Sequence, residues 1–340
     1  MLRVKLNGNN FLKMNKILVT GATGFAGGHI LRYLANKFGT SVVFGTGRNK
    51  LKAKELIANG YSIFVGDLND SNFVRVKLSG FDVIVHCAAK SSIWGTYDSF
   101  YKANVLATNN LLEVLAPGKQ IIYISTANIY FNYSDRFNID EKDHHPNAYS
   151  NYYATTKYES ERIVLESSNI FTVALRPRAI IGVGDTVVFP RVLKAYNNGK
   201  LRIIGKGDNV IDFTSINNLC HAVNLCIENK EKAHSEMFNV TNGDTIKLWD
   251  QIKLILSKLG RESDLKSVPY FLAYAAARFN EIKTSYRDPE PSLTVYGLAV
   301  LKYSVTLNID KITEHLGYIP VESSIETVSD FLGWYKNIND

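Results

Sequence analysis

The stretch NYYATTKYESER, residues 151–162, sets two phenols ahead of an ammonium group. A phenol close to a cation can pass a proton to an oxygen or take one from it. The cation favours phenolate and draws the pKa down from its usual value near ~10. The surrounding residues are polar helix formers, and they predict a helix on which side chains four apart share a face. Tyr153 and Lys157 are four apart, while Tyr152 is five from Lys157 and points elsewhere. On a bare surface such a pair is only a contact. Chemistry requires a cofactor and a carbonyl, and the rest of the chain is read for both.

The segment TGATGFAG supplies Gly21, Gly24 and Gly27, with Thr23, Phe25 and Ala26 between them. It follows the apolar run KILVT and precedes HILRYLANKF, which has helical spacing. Glycines in a strand–turn–helix context let the backbone approach a pyrophosphate, and the helix N-terminus faces it with free N–H groups. An NAD site usually carries an acid about 20 residues further on. Here no Asp or Glu occurs between Gly27 and Glu55, and Arg48 follows the second strand. A guanidinium grips an extra phosphate in a forked hydrogen bond. The pattern therefore favours NADP(H), with NAD(H) the alternative. Asp67 and Leu68, in VGDL after the third strand, are placed to meet the adenine.

Positioning these groups needs a sheet. SVVFGT, YSIFVGDL, DVIVHCAA and QIIYIST read as strands separated by helices such as LKAKELIANG and NVLATNNLLEVL. Continuous apolar strands alternating with helices predict an α/β fold with a doubly wound parallel Rossmann sheet. Past residue 180 the alternation decays, which predicts a smaller C-terminal substrate-binding lobe. The expected division is a dinucleotide-binding domain over 14–185 and 205–245, and a lobe over 186–204 and 246–340. Residues 1–13 read as a loose extension. The segment VPYFLAYAAARF, residues 268–279, is too short to span a bilayer and is expected to be a buried core helix, with a helix that docks on a membrane surface as the alternative.

Hydrophobic residues make up 46% and charged residues 21%, as in a protein with a substantial core. The net charge is 39 − 32 = +7, with no basic run dense enough for nucleic acid. Cys87, Cys220 and Cys226 are odd in number and lack metal-ligand spacing, so reduced thiols and a cytoplasmic location are expected.

Taken together, TGATGFAG, GDL, VIVHCAA, NVLATNNLLE, YISTANIY, the Tyr153–Lys157 pair, LRPRAIIG and GKGDNVIDFTSINNL resemble an extended short-chain dehydrogenase/reductase. The resemblance covers most of residues 15–335. It implies that Ala88 lines the cofactor cleft, that Asn104 holds the active-site lysine and a water, and that Pro177 borders the nicotinamide. It also implies that Thr126 is the catalytic hydroxyl, with Ser125 beside it at the substrate. Tyr153 would then be acid in reduction and base in oxidation, with Lys157 tuning it and holding the ribose. Tyr149 and Tyr152 are read as packing residues, with a place in the pocket wall as the alternative.

The favoured substrate is a nucleotide-diphosphate 4-keto-6-deoxy sugar, its charges met by Arg178 and Arg191, with Lys194, Lys200 and Arg202 nearby. The alternatives are a 3β-hydroxysteroid-like or 3-oxoacyl compound, which would need an apolar tunnel, or sugar-nucleotide epimerisation. Ala179 stands where many epimerases of this type carry asparagine, and Ala127 where dehydratases carry an acid. A catalytically silent dinucleotide sensor would not need Thr126, Tyr153 and Lys157 together. The helices NVLATNNLLEVL and YYATTKYESERIVLE are the candidates for pairing in a homodimer.

Overall fold

The computed structural model describes residues 15–338 apart from 144 and 147, so the expected extension over residues 1–13 lies outside the described residues. Seven parallel strands form the main sheet in the order Glu236–Val240, Phe171–Pro177, Gln120–Ile124, Val83–His86, Ile17–Thr20, Val43–Gly47 and Ser62–Val65. Ile17 pairs with Val43 on one side and with Val83 on the other. The chain thus winds outward in both directions from Ile17–Thr20. The crevice at the carboxyl end of such a switch point is where open α/β sheets bind ligands. Both faces are covered, as the uninterrupted apolar strands require. Ile30, Leu31 and Leu34 pack with Leu219 and Val223 on one face, and Leu111 and Val164 cover Leu18, Ile84 and Ile121 on the other.

The second core crosses the expected boundaries. A four-stranded sheet runs Thr245–Lys247, Val210–Asp212, Val305–Leu307, Arg136–Ile139. Val210–Asp212 and Arg136–Ile139 were expected in the dinucleotide unit. They pair instead with strands from the C-terminal third, and Phe213 packs with Phe189, Trp249 and Phe331. Conversely, Ile312 and Leu316 of the helix Asp310–Leu316 join the core of the large sheet. Local patterning carries no record of such long-range pairing.

The expectation of a core helix at 268–279 is overturned. The helix Tyr270–Lys283 buries only Ala273 and Ala277, leaving Phe271 68%, Phe279 56% and Ile282 75% exposed. The two alanines give it a narrow foothold on the second core, and its bulky side chains lie on the other face.

The helix Tyr152–Leu165 begins at Asn151, whose side chain accepts from the Ala154 N–H at 2.9 Å. Its far end is tied to the sheet by a buried ion pair. Arg176, on Phe171–Pro177, donates from Nε to both Glu161 carboxylate oxygens, at 3.2 and 3.0 Å, and from Nη2 to Oε1. Nη1 donates to the Tyr130 hydroxyl at 2.5 Å and to Glu141 O at 3.1 Å. Both partners' side chains are only 2% exposed. Removing one member of such a pair strands the other charge in a low-dielectric interior. Glu161→Ala is therefore expected to lower unfolding free energy by ~3–5 kcal/mol, with Glu161→Leu/Arg176→Met recovering much of it. Urea unfolding midpoints with unchanged slopes test this, and a loss under ~1 kcal/mol in the single variant would reject it.

Candidate active site

The glycine turn is built for close approach. Gly21 has φ +67, and a Cβ there would lie 2.9 Å from Ala88 N. A Cβ on Gly27 would lie 2.4 Å from Gly21 O, so the helix Phe25–Phe38 starts hard against the strand. Gly24 caps that helix without a side-chain hydrogen bond, and the first turn holds no acid. Its leading N–H groups, including those of Phe25 and Ala26, therefore remain available, and the helix dipole favours an anion there. Thr23 packs against Gly47, where a Cβ would lie 2.3 Å from Thr23 Oγ1. At the outer end Arg48 Nη1 sits 3.5 Å from Asp67 Oδ2, so the two expected adenosine-end residues do meet. Leu68 is buried, and its carbonyl accepts from Asn110 Nδ2 at 2.7 Å. These residues fit a dinucleotide, and the unpartnered buried hydroxyl of Ser125, at the end of Gln120–Ile124, adds a polar atom at the inner end of the crevice.

His86, which the sequence reading passed over as a strand residue, joins this turn to the next helix. Thr20 Oγ1 accepts from the N–H groups of Cys87 and Ala88 at 3.1 and 3.0 Å, so its own proton goes to His86 Nδ1 at 2.7 Å. His86 Nε2 then donates to Thr108 Oγ1 at 3.0 Å, and Thr108 donates to Asn104 O at 2.5 Å. Burial first, and then the Lys157 charge, holds the imidazole neutral with a pKa near 3. Asn104 itself sits in a π-helical turn, Tyr101–Leu106, of the kind that often marks functional sites. Its Oδ1 accepts from Lys90 N at 2.8 Å and its Nδ2 donates to Thr156 Oγ1 at 2.9 Å. Through Thr156 it is joined to the helix Tyr152–Leu165, which carries Tyr153 and Lys157.

Tyr153 and Lys157 lie on the inward side of their helix, and Tyr152 is on the outward side, 39% exposed. Lys157 Nζ donates to Ile124 O at 2.5 Å and lies 3.9 Å from the centre of the Tyr123 ring. Burial lowers its pKa to about 7, against the opposing pull of Cys87 and Glu161. Burial also raises the Tyr153 phenol above its ordinary value, and a hydrogen bond from Thr126 works the other way. The expected depression by the ammonium is not realised: desolvation sets the direction, and Thr126 supplies the opposing pull. Thr126 Oγ1 accepts from Asn128 N at 3.2 Å, which leaves its proton free to donate. Pro177 ends the neighbouring strand, buried, opposite Val240.

A cavity of about 560 Å³ opens beside Tyr152, walled by Trp94, Tyr133, Tyr149, Tyr286 and Tyr296. Tyr149 and Tyr152 line it instead of merely packing. Trp94 and Tyr286 stack across the mouth at 4.4 Å, although 192 positions separate them in the chain. The Tyr296 phenol lies within electrostatic reach of both Tyr153 and Arg178. Arg178 is 7% exposed, and its Nε has no hydrogen-bond partner. Arg191 is drawn away, its Nη2 3.0 Å from Glu290 on an exposed loop.

A parallel sheet wound from a glycine cradle, with hydroxyl, phenol and ammonium at its carboxyl edge, defines a Rossmann-type enzyme that acts on CH–OH groups. The chain belongs to the NAD dependent epimerase/dehydratase family, whose model matches residues 17–241. YbjS, an uncharacterized protein of Escherichia coli (strain K12), is 33% identical over 334 residues, covering 95% of this chain and 98% of its own. The 2-alkyl-3-oxoalkanoate reductase of Shewanella oneidensis is 29% identical, over 90% of this chain and 82% of its own. The decarboxylating sterol-4-alpha-carboxylate 3-dehydrogenase of Mus musculus is 27% identical, over 94% and 91%. A solved UDP-glucuronic acid 4-epimerase from Bacillus cereus, in complex with NAD, superposes with a TM-score of 0.71 at 21% identity, over 95% and 97% of the two chains. At that identity the shared feature is the fold.

Tyr153→Phe deletes the proton while leaving the ring in place. Turnover is expected to fall ~100- to 10,000-fold with cofactor affinity little changed, whereas Tyr152→Phe costs far less. Steady-state rates beside a fluorescence titration of reduced nicotinamide check both. Equal losses in the two variants would break the assignment.

Proposed function

We propose that the enzyme interconverts a 3-oxo acid and a 3-hydroxy acid carrying a bulky apolar group, with NADP(H) as cofactor. The observation that carries this reading is the aromatic cavity beside Tyr152, whose wall includes Tyr296, a phenol within electrostatic reach of Tyr153. Its walls suit alkyl or ring-system substrates, which gain about 25 cal/mol per Å² of apolar surface withdrawn from water. A diphosphate needs cations instead. Arg191 is paired with Glu290, and Lys194, Lys200 and Arg202 are exposed, so the cluster foreseen for a nucleotide-linked sugar does not converge on the cavity. The buried guanidinium of Arg178 is better matched to a single carboxylate. Two relatives that align along most of their length are named for compounds with a carboxylate near the reacting carbon, an oxoalkanoate and a sterol carboxylate.

The nicotinamide supplies or accepts the hydride. Tyr153 gives the substrate oxygen its proton in reduction and removes it in oxidation. Thr126 donates a hydrogen bond to that oxygen as charge develops on it. Lys157 offers the cationic charge that stabilises phenolate. Burial keeps Tyr153 protonated at neutral pH, which supports reduction as the easier direction. NADP(H) is supported by Arg48, whose side chain is 66% exposed and only loosely held at 3.5 Å from Asp67.

Two outcomes follow. Arg178→Met should lower kcat/KM for a 2-alkyl-3-oxo acid ~10- to 100-fold, as expected for a lost charged hydrogen bond, and leave the corresponding methyl ester unaffected. Equal loss on acid and ester, or reduction of a nucleotide-linked keto sugar in preference to both, would overturn the substrate assignment. Separately, Arg48→Ala should weaken NADPH binding by about 1.5–3 kcal/mol and leave NADH nearly unchanged, read by fluorescence titration. Parallel weakening of both cofactors would remove Arg48 from the phosphate site.

A further inference from the structure

The helix Tyr270–Lys283 divides into three faces at 100° per residue. Ala273 and Ala277 anchor it on the second core. Tyr270, Tyr274, Arg278 and Glu281 follow one another at helical spacing along the wall of the aromatic cavity. The remaining face holds Phe271, Leu272, Ala275, Ala276, Phe279 and Ile282, all exposed. Single exposed apolar residues are ordinary, but a continuous stripe of this size calls for a partner.

We propose that this face docks on a lipid surface bearing anionic headgroups, and that the cavity thereby opens beside the acyl region. Charge and position select this occupant. Arg278 borders the stripe on one side and Lys283 on the other, with Lys283 Nζ 4.0 Å from the centre of the Phe279 ring. Long basic side chains flanking an apolar stripe are the pattern of helices that lie in a membrane interface. Glu281 is the helix's one acid, and it is turned inward, accepting from Val295 N at 2.8 Å and from Arg278 Nη1 at 3.1 Å. In the following loop Asp288 accepts from Ser285 N at 3.0 Å, and Glu290 pairs with Arg191. Lys266 and Arg287 extend the exposed cations beyond each end of the helix. A second copy is the competing occupant. Two-fold pairing of this face would set its basic edges against basic edges, whichever way the helices run, which favours lipid over self-association. Among the described residues no helix is long and apolar enough to cross a membrane, so the contact is interfacial.

The test is flotation of the full chain with phosphatidylcholine vesicles, with and without phosphatidylglycerol, at low and high salt, beside sedimentation velocity without lipid. The expected result is binding that requires phosphatidylglycerol and weakens with salt. Phe271→Ser/Phe279→Ser/Ile282→Ser should lower partitioning at least ~10-fold while keeping turnover of a water-soluble substrate and the unfolding midpoint. Three results overturn the proposal: wild-type protein that never floats, a triple variant that floats as well as wild type, or a wild-type dimer that the variant splits while neither binds vesicles. The outcome is independent of which ketone is reduced, so failure of the substrate assignment leaves this test readable.

Discussion

An arginine only 1% exposed must be neutralised, and Arg176 is neutralised from the very helix that holds Tyr153 and Lys157. Tyr153, Lys157 and Glu161 are spaced four apart and form one stripe. The lower end of that stripe is locked to the sheet by the ion pair, and the upper end is set by the Asn151 cap. Between these two fixings the phenol and the ammonium have little freedom of rotation about the helix axis. The same carboxylate favours the charged form of Lys157, which burial disfavours more strongly. The placement of Lys157 thus depends on a buried contact one turn further along the helix, while its protonation is set first by burial.

A second buried polar chain lies across the sheet's carboxyl edge from the glycine turn to the π-helical turn. It starts at the Thr20 hydroxyl beneath the glycine turn, passes through neutral His86 and Thr108, and ends at the carbonyl of Asn104. Each group in it has its donor and acceptor assigned without conflict, which is the condition for a buried polar network to stabilise rather than cost. It holds the backbone of Cys87 and Ala88 against Gly21, so the glycine cradle and the turn that bonds Thr156 are joined by one chain of hydrogen bonds. Cys87 itself is inert here, since burial pushes its thiol up to about 12.

What was legible in the residues was local. Glycine spacing after an apolar run, the alternation of strand and helix, and the four-residue interval from Tyr153 to Lys157 are periodic signals, and the structure realises each of them. The failures were tertiary. A uniformly apolar segment such as VPYFLAYAAARF reads as buried all round, but burial is decided by what packs on it, and in the helix only two alanines are buried. Arg191 was counted as a ligand-facing cation because it lies near Arg178 in the chain, yet Glu290, 99 positions away, claims it. The cavity wall joins Trp94 to Tyr286 across most of the sequence, a pairing that no window of spacing can reveal. His86 was visible as a letter in VIVHCAA, and its role required knowing that Thr20 and Thr108 flank it.

Desolvation links these features. The interior that surrounds Tyr153 and Lys157 raises the one pKa and lowers the other, so both groups lean toward their neutral forms. In a wet crevice the ammonium would be fully formed but heavily screened, and its hold on a phenolate would be weak. In a dry one the charge is expensive to form but acts strongly over a few ångströms. On the neighbouring side of the helix, the cavity wall of tyrosines and tryptophan offers both apolar ring faces and hydroxyl groups. In the proposed reaction the proton rests on Tyr153 until an oxygen beside Thr126 becomes basic enough to take it. The phenolate left behind is then the charge that the buried lysine is placed to stabilise.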